Sequence, residues 1–520
     1  MNIEVKGMNL NSLFWVDGVQ SKIIAAQLAE KSNDGSAQTE FLQSVISEFE
    51  NSNFRQYMDI AWRYYKNEND ILENKRMVIG KNPNNEAILK ESKVLANNKL
   101  CHNFMKKLTR QKIGYMLGKP FTLAAVKVDD TRAEKLFELC KQYFNRDFYK
   151  LIKNIGRDSI VKGLGWLHIY YDESGQLRFM RCNPEEIIPL WKDSDHTELD
   201  AVVRKYSIEQ YSGGQKKLIT YVDYYTNQGV YHYKYNDSKK LVVDPDRTTP
   251  SGNFTIAATN AEGETETRSA VWARIPFIPF KYDPDEQSLL VRIKSLIDDY
   301  DKKTSGIANN IDDFPNSITV VKNYDGSSKE EFVQNKNEYR TLFVQGDGDA
   351  KALETPLNVT EVDKHIQRLR EDIYEFGQGI NTADKDIRDT SGVALRFLYG
   401  DLDMDCIDWG SEVEWSIMLL MWFIQQDLIA KNKGDFSDVE YKVIFNTDMI
   451  INETETINNC FTSQGLISGK TIADNHPWVI NAEKEMKSML EEQGEVLDLE
   501  SEYGNKTPTN PAQGQTSGGV

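Results

Sequence analysis

The residue types in this chain that could do chemistry gather in three short stretches. The first is Gly465–Thr471, GLISGKT, which carries the glycine, lysine and threonine of a phosphate-cradling loop. That loop needs four residues between its first glycine and the Gly-Lys-Thr, and a strand ahead of it, so that successive backbone N–H groups wrap the phosphates. Here three residues intervene and the preceding NNCFTSQ reads as helix, so the expectation is a helix start capped by Ser468. The second stretch, DLDMDCID, sets out Asp401, Asp403, Asp405 and Asp408, carboxylates that could hold Mg²⁺ or Ca²⁺ in a nuclease. The glycine and distal glutamate of a calcium loop are missing, and a solvated acidic loop between two helices is expected instead. The third is 377–391, GQGINTADKDIRDTS, which sets Lys385 and Arg388 among Asp384, Asp386 and Asp389. An exposed charged loop of this kind suits contact with a substrate that moves past it. It does not suit a catalytic pocket.

Other catalytic constellations fail. His102, His168, His196, His232, His365 and His476 stand isolated, without HExxH or paired Cys/His spacing, and neither GxSxG nor GxGxxG occurs. Cys101, Cys140, Cys182, Cys406 and Cys460 are odd in number and widely scattered, which fits a reducing compartment better than a disulfide framework. No catalytic residue, metal or cofactor is expected.

The element that must position the charged loop lies just before it. In 358–376, NVTEVDKHIQRLREDIYEF, apolar residues fall at Val359, Val362, Ile366, Leu369, Ile373 and Phe376, and nearly everything between is charged or polar. Alternating steps of three and four put one narrow apolar seam on a helix, suited to packing along a single partner helix. Thr360 with Asp363 signals its start. The partner is legible over 286–311, where Leu289, Ile293, Leu296, Ile297 and Tyr300 make a stripe continued by Ile307 and Ile311. At about 1.5 Å per residue such a helix runs near 40 Å. Between the two, 315–356 reads as a compact insert: strand SITVVKNY, turn DGSS, short helix KEEFVQNKNEY, strand TLFVQG and turn GDGDA. The simplest geometry is a helical hairpin carrying that module at its tip.

The remaining chain reads as α+β and mainly helical. Residues 39–66, 99–118 and 131–156 pattern as helices, with KNPNNEA (81–87) a loop. Residues 164–246 change to alternating, Tyr- and Val-rich segments (VVRKYSI, KLITYVDYYT, GVYHYKY, KLVVD) after a hairpin around Ser174-Gly175, a small antiparallel sheet region. Residues 247–270 read as a polar loop. From Ser391 a long helical stretch runs through WSIMLLMWFI, then strand VEYKVIFN, then helices over 453–464 and 470–494. Residues 1–38 read as a partly disordered arm and 501–520 as a disordered tail. With 520 residues the core is ample, and no apolar run approaches the roughly 18–20 residues of a membrane span. The net charge of −18, from 62 basic and 80 acidic residues, argues against tight grip on nucleic acid.

Several phrases, in this order and spacing, resemble the portal proteins of tailed double-stranded DNA bacteriophages, of the long-tailed type found with Gram-positive hosts. They are NFMKK (103–107) with IGYMLGKP (113–120), Gly165 with NPEEIIP (183–189), and IPF (275–277). SLIDDYD (295–301) follows with Asn309-Asn310, then SGVAL (391–395) and GLISGKT (465–471). The resemblance spans roughly 40–490, with one departure at KYDPDE (281–286), where the family pattern has an asparagine-rich turn.

The resemblance implies a ring, a dodecamer, around a DNA channel at one capsid vertex. It implies a wing over 39–285, a stem helix over 286–314, a clip over 315–357, a second stem helix over 358–376 and a tunnel loop over 377–391. A wing return helix and strand follow over 392–446, then crown helices over 447–500. Stem packing falls to Leu289, Ile293, Leu296 and Tyr300 with Val362, Ile366, Leu369 and Ile373; Asn381, Asp384, Lys385, Asp386 and Arg388 face DNA. Asp298, Asp299 and Asp301 either line the lumen or pair with neighbouring subunits. The implied partners are further copies of the chain, double-stranded DNA without sequence specificity, the large terminase subunit, a head-completion adaptor, and the major capsid and scaffold proteins, with no membrane. The implied place is the portal vertex of the virion, after assembly in the host cytoplasm. The competing reading is a Mg-dependent nuclease or packaging ATPase.

Overall fold

The computed structural model describes residues 35–81, 83–84, 86–92, 95–127, 130–212, 215–259, 265–313, 318–324, 328, 344–353, 359–383, 392–447, 453–479, 482 and 485–491. The chain divides into two compact units, Met1–Ala383 with Tyr399–Asp448, and Asp384–Leu398 with Met449–Val520. The arm at 1–34 and the tail at 501–520 lie outside the described residues.

In the first unit the helical region expected over 39–66 is two helices, α1 (Gly35–Asn51) and α2 (Asn53–Tyr65). Ser52 breaks it: its backbone is extended and its side chain accepts from Arg55 N, which starts a new helix. A hairpin, β1 (Met77–Lys81) and β2 (Ala87–Glu91), leads to α3 (Phe104–Leu117), opened by Asn103 accepting from Lys106 N. After β3 (Thr122–Ala125) the single helix expected over 131–156 is again two, α4 (Thr131–Cys140) and α5 (Arg146–Lys162). Asn145 makes the second start, accepting from Phe148 N.

The sheet region begins with β4 (Leu164–Tyr171) and β5 (Leu177–Cys182), turned at Gly175 with φ +72°. Next come β6 (Ile187–Trp191), β7 (Leu199–Ser212), β8 (Gln215–Thr226), β9 (Gly229–Tyr235) and β10 (Leu241–Val243). The expected polar loop at 247–270 is instead a hairpin, β11 (Phe254–Thr259) and β12 (Thr265–Ala270), paired from Phe254↔Ala270 to Thr259↔Thr265. Its threonines make it polar and strand-forming at once, which composition alone misreads. β13 (Phe277–Lys281) closes a three-stranded sheet in the order β13-β4-β5, beside the five-stranded sheet β10-β9-β8-β7-β6. α1 lays Leu42, Val45, Ile46 and Phe49 on the larger sheet at Val203, Val222, Tyr224 and Tyr233, all buried. A second cluster joins the two sheets through Trp166 and Trp191, stacked 6.1 Å apart. Beyond their neighbours, 207–212 of β7 and 215–220 of β8 pair only with each other.

Then come α6 (Leu290–Asp313), β14 (Ile318–Tyr324), β15 (Val344–Leu353) and α7 (Val359–Phe376). The turn expected at GDGDA lies inside β15, where Gly346 at φ +57° takes the left-handed backbone that a register shift against β14 requires. The expected helix at 329–339 lies outside the described residues. α8 (Gly392–Ala430) is one unbroken helix, and its residues from Tyr399 on belong to this unit. β16 (Tyr441–Ile444) returns to pair with β3.

The second unit holds α9 (Glu453–Thr462) and α10 (Gly469–Asn475), with Cys460 and Ala473 buried. The helix expected over 470–494 stops at His476, extended ahead of Pro477, and the chain is helical again over 485–491.

Candidate functional site

The end of α7 and the start of the charged segment are built by a specific backbone motif. Gly379 N donates to Tyr374 O and Gln378 N to Glu375 O, at 2.9 and 3.0 Å, so the last carbonyls of α7 are satisfied. The motif needs a left-handed residue, usually glycine, at the position held by Gln378, whose φ is +47°. The two flanking glycines serve a different end. A Cβ on Gly377 would sit 2.7 Å from Leu108 Cδ1, and one on Gly379 2.2 Å from Leu108 Cδ2. They let the chain lie directly on α3.

That helix then grips the segment. Gln111 donates from Nε2 to Ile380 O at 2.7 Å and accepts from Ile380 N at 3.1 Å. Lys107 Nζ donates to Thr382 Oγ1 at 3.2 Å, and Arg370 Nη2 to Asn381 Oδ1 at 3.5 Å. Beneath them lies a buried ionic cluster. Lys112, with its side chain fully buried, donates to Gln378 O at 2.9 Å and to Asp405 Oδ2 at 2.6 Å. Arg292 Nη1 reaches Gln378 Oε1 at 2.6 Å and Asp405 Oδ1 at 2.8 Å, and Tyr282 OH donates to Asp405 Oδ2 at 2.6 Å. Burial pulls the Lys112 ammonium below its ordinary value despite Asp405 beside it. Burial alone would raise the Asp405 carboxyl, but Lys112, Tyr282 and Arg292 together hold it below the ordinary range. The cluster is therefore closely hydrogen-bonded, with Lys112 and Asp405 buried and Arg292 reaching in from a partly exposed position.

Of the residues expected to pack the helix pair, Leu289, Ile293, Tyr300, Leu369 and Ile373 are buried, while Leu296, Val362 and Ile366 are half-buried. Leu289 precedes α6 and ties to Ile160 O through its N–H. Asp298 and Asp301 both have partners within the chain. Asp298 accepts from Tyr64 OH and pairs with Lys294 at 2.7 Å; Asp301 accepts from Asn69 Nδ2 at 2.7 Å and His102 N at 3.0 Å. Asp299 lies 3.1 Å from His365 Nε2 on α7. Of the expected DNA-facing residues, Asn381 is described, and Asp384, Lys385, Asp386 and Arg388 lie outside the described residues.

The acidic run is not a solvated loop. It lies within α8, whose helical spacing buries Asp405 and brings Asp403 to Tyr115 OH at 2.6 Å, leaving Asp401 and Asp408 exposed. Among the described residues no group of three or more His, Cys, Asp or Glu could hold a metal ion. GLISGKT starts α10, with the Ser468 side chain accepting from Thr471 N. Among the described residues no helix is long and apolar enough to cross a membrane.

A family model described as "Phage portal protein, SPP1 Gp6-like" matches residues 48–498. The chain belongs to this phage portal family. The portal protein of Bacillus phage SPP1 is 28% identical over 468 residues, which cover 88% of this chain and 89% of the relative. The portal protein of Clostridium phage phiCD119 is 29% identical over 469 residues, covering 87% and 96%. As a phage portal protein the chain is a head–tail connector. In this portal chain the sequence reading missed the gripping residues Gln111, Lys112, Arg292 and Gln378. One signal was present: Lys112 interrupts the apolar face of α3 formed by Met105, Leu108, Tyr115 and Met116, and a lysine there must find a buried partner.

Proposed function

We propose that the chain closes into a ring, a dodecamer, at one capsid vertex and forms the channel through which double-stranded DNA is packaged and ejected. The single observation that carries this is the portal-family match over 48–498. The helix pair α6 and α7 serves as stem and the β14–β15 insert as clip, docking the large terminase subunit and later the head-completion adaptor. The wing contacts the major capsid and scaffold proteins. The segment after α7 serves as a tunnel loop, with Asn381, Asp384, Lys385, Asp386 and Arg388 facing DNA. Support for that role comes from the grip of α3 on 378–382, which delivers a charged segment from a fixed base. A separate crown is supported by the division that sets Met449–Val520 apart from the first unit. Such rings assemble in the host cytoplasm and end in the virion.

Two observations bear on the enzyme readings: Asp405 of the acidic run lies in the ionic cluster, and GLISGKT starts a helix capped by Ser468. Negative-stain imaging with native mass measurement tests the proposal. Closed annuli with a central hole are expected; a chain that stays monomeric at every concentration and is absent from capsids overturns it. ATP hydrolysis abolished by Lys470→Ala would overturn it in favour of a motor.

A further inference from the structure

The buried cluster joins chain on both sides of the loop. Gln378 stands at the end of α7 before it, and Asp405 stands on α8 after it. Two cations each bridge one to the other: Lys112 through the Gln378 carbonyl and Asp405 Oδ2, and Arg292 through Gln378 Oε1 and Asp405 Oδ1. Tyr282 closes the remaining side of the carboxylate.

Apolar packing alone would serve stability here as well, since replacing a buried ion pair by well-packed apolar residues is often neutral or stabilising. What charge adds is direction. The ammonium fixes a main-chain carbonyl, and the guanidinium fixes the side chain of a residue held at φ +47°, where glycine would be the unstrained choice. A glycine at 378 would relieve the backbone but remove the Arg292 contact to this root, leaving Arg292 bound to Asp405.

We infer that Lys112 and Arg292 are positioning residues for DNA passage: as an ionic staple they set where the first root of the channel loop, at Gln378, and the body of α8 at Asp405 stand relative to the stem helix α6. The inference rests on the portal reading. The staple acts through the loop and need not touch DNA itself.

The test compares wild-type rings with rings of the double variant Lys112→Met/Asp405→Asn, which removes the ammonium without leaving a bare buried carboxylate. Lys112→Met alone is a second variant, since Arg292 and Tyr282 still hold Asp405. Three readouts are taken: ring formation by imaging, the rate of trypsin cleavage at Lys385 or Arg388 in assembled rings, and the length of DNA in filled capsids. Expected are intact rings, cleavage about five-fold faster, and packaged lengths outside the wild-type distribution. Intact variant rings with wild-type cleavage and wild-type packaged length overturn the staple and leave the portal reading standing. Failure of the wild-type chain itself to form rings counts against the portal reading instead.

Discussion

Gly379 has no room for a side chain, because its α-carbon rides over Leu108 and Gln111. Gly379→Ala is expected to cost about 1–3 kcal/mol through the clash and the lifted loop root, read as a lower urea midpoint at unchanged slope. His168 gives a residue-scale pH dependence. Burial, and then Arg204, push its imidazole down to about 3, and its Nδ1 has no hydrogen-bond partner. The folded chain keeps this histidine neutral, whereas the unfolded chain takes up a proton below pH 6.5. Stability therefore falls as pH drops from 6.5 towards 3, with a loss of roughly 2 kcal/mol at pH 5. In His168→Phe that increment should vanish from the difference between unfolding at pH 7 and pH 5. At this scale the sequence was only partly legible. GQG announced a turn, but not that glutamine would take the left-handed slot, since that choice depends on Arg292, 86 positions earlier.

Among the elements, α7 was legible because its seam is narrow and regular, and α6 because its stripe repeats over many turns. Breaks at Ser52, Asn145 and His476 were not, since each depends on one capping side chain or one proline inside an otherwise continuous apolar pattern. The acidic run misled for a related reason: four aspartates look solvated until a neighbouring helix supplies Lys112 and Tyr115. The aspartates of α6 give a prediction at this scale. Asp301 is 1% exposed and joins α6 to Asn69 and His102. Asp301→Ala strands those donors and is expected to cost about 3 kcal/mol, whereas the more exposed Asp299→Ala should stay within about 0.5 kcal/mol in thermal unfolding of the ring.

For the whole molecule, the proposed ring of twelve copies at −18 each would carry a formal charge of −216, so net attraction to a duplex would be weak. Weak, non-specific contact suits a conduit that must let DNA run both ways. The few cations repeated around the channel then matter individually, and Lys385→Ala/Arg388→Ala should change packaged DNA length or yield while rings stay intact. Unchanged packaging would remove these two residues from that role. The family was legible from ordered short phrases, because the spacing of GYMLGKP, SLIDDYD and SGVAL follows a whole architecture and no single pocket.

The β7–β8 ribbon that outruns its sheet carries Ile208, Tyr211 and Leu218 in the open, an invitation to strand-by-strand sticking between newly made copies. Lys216 and Lys217 stand among them, paired with Glu209 and Asp237. Such charges act as gatekeepers against fibrous growth, so a crowded pool of subunits can wait for orderly closure without precipitating.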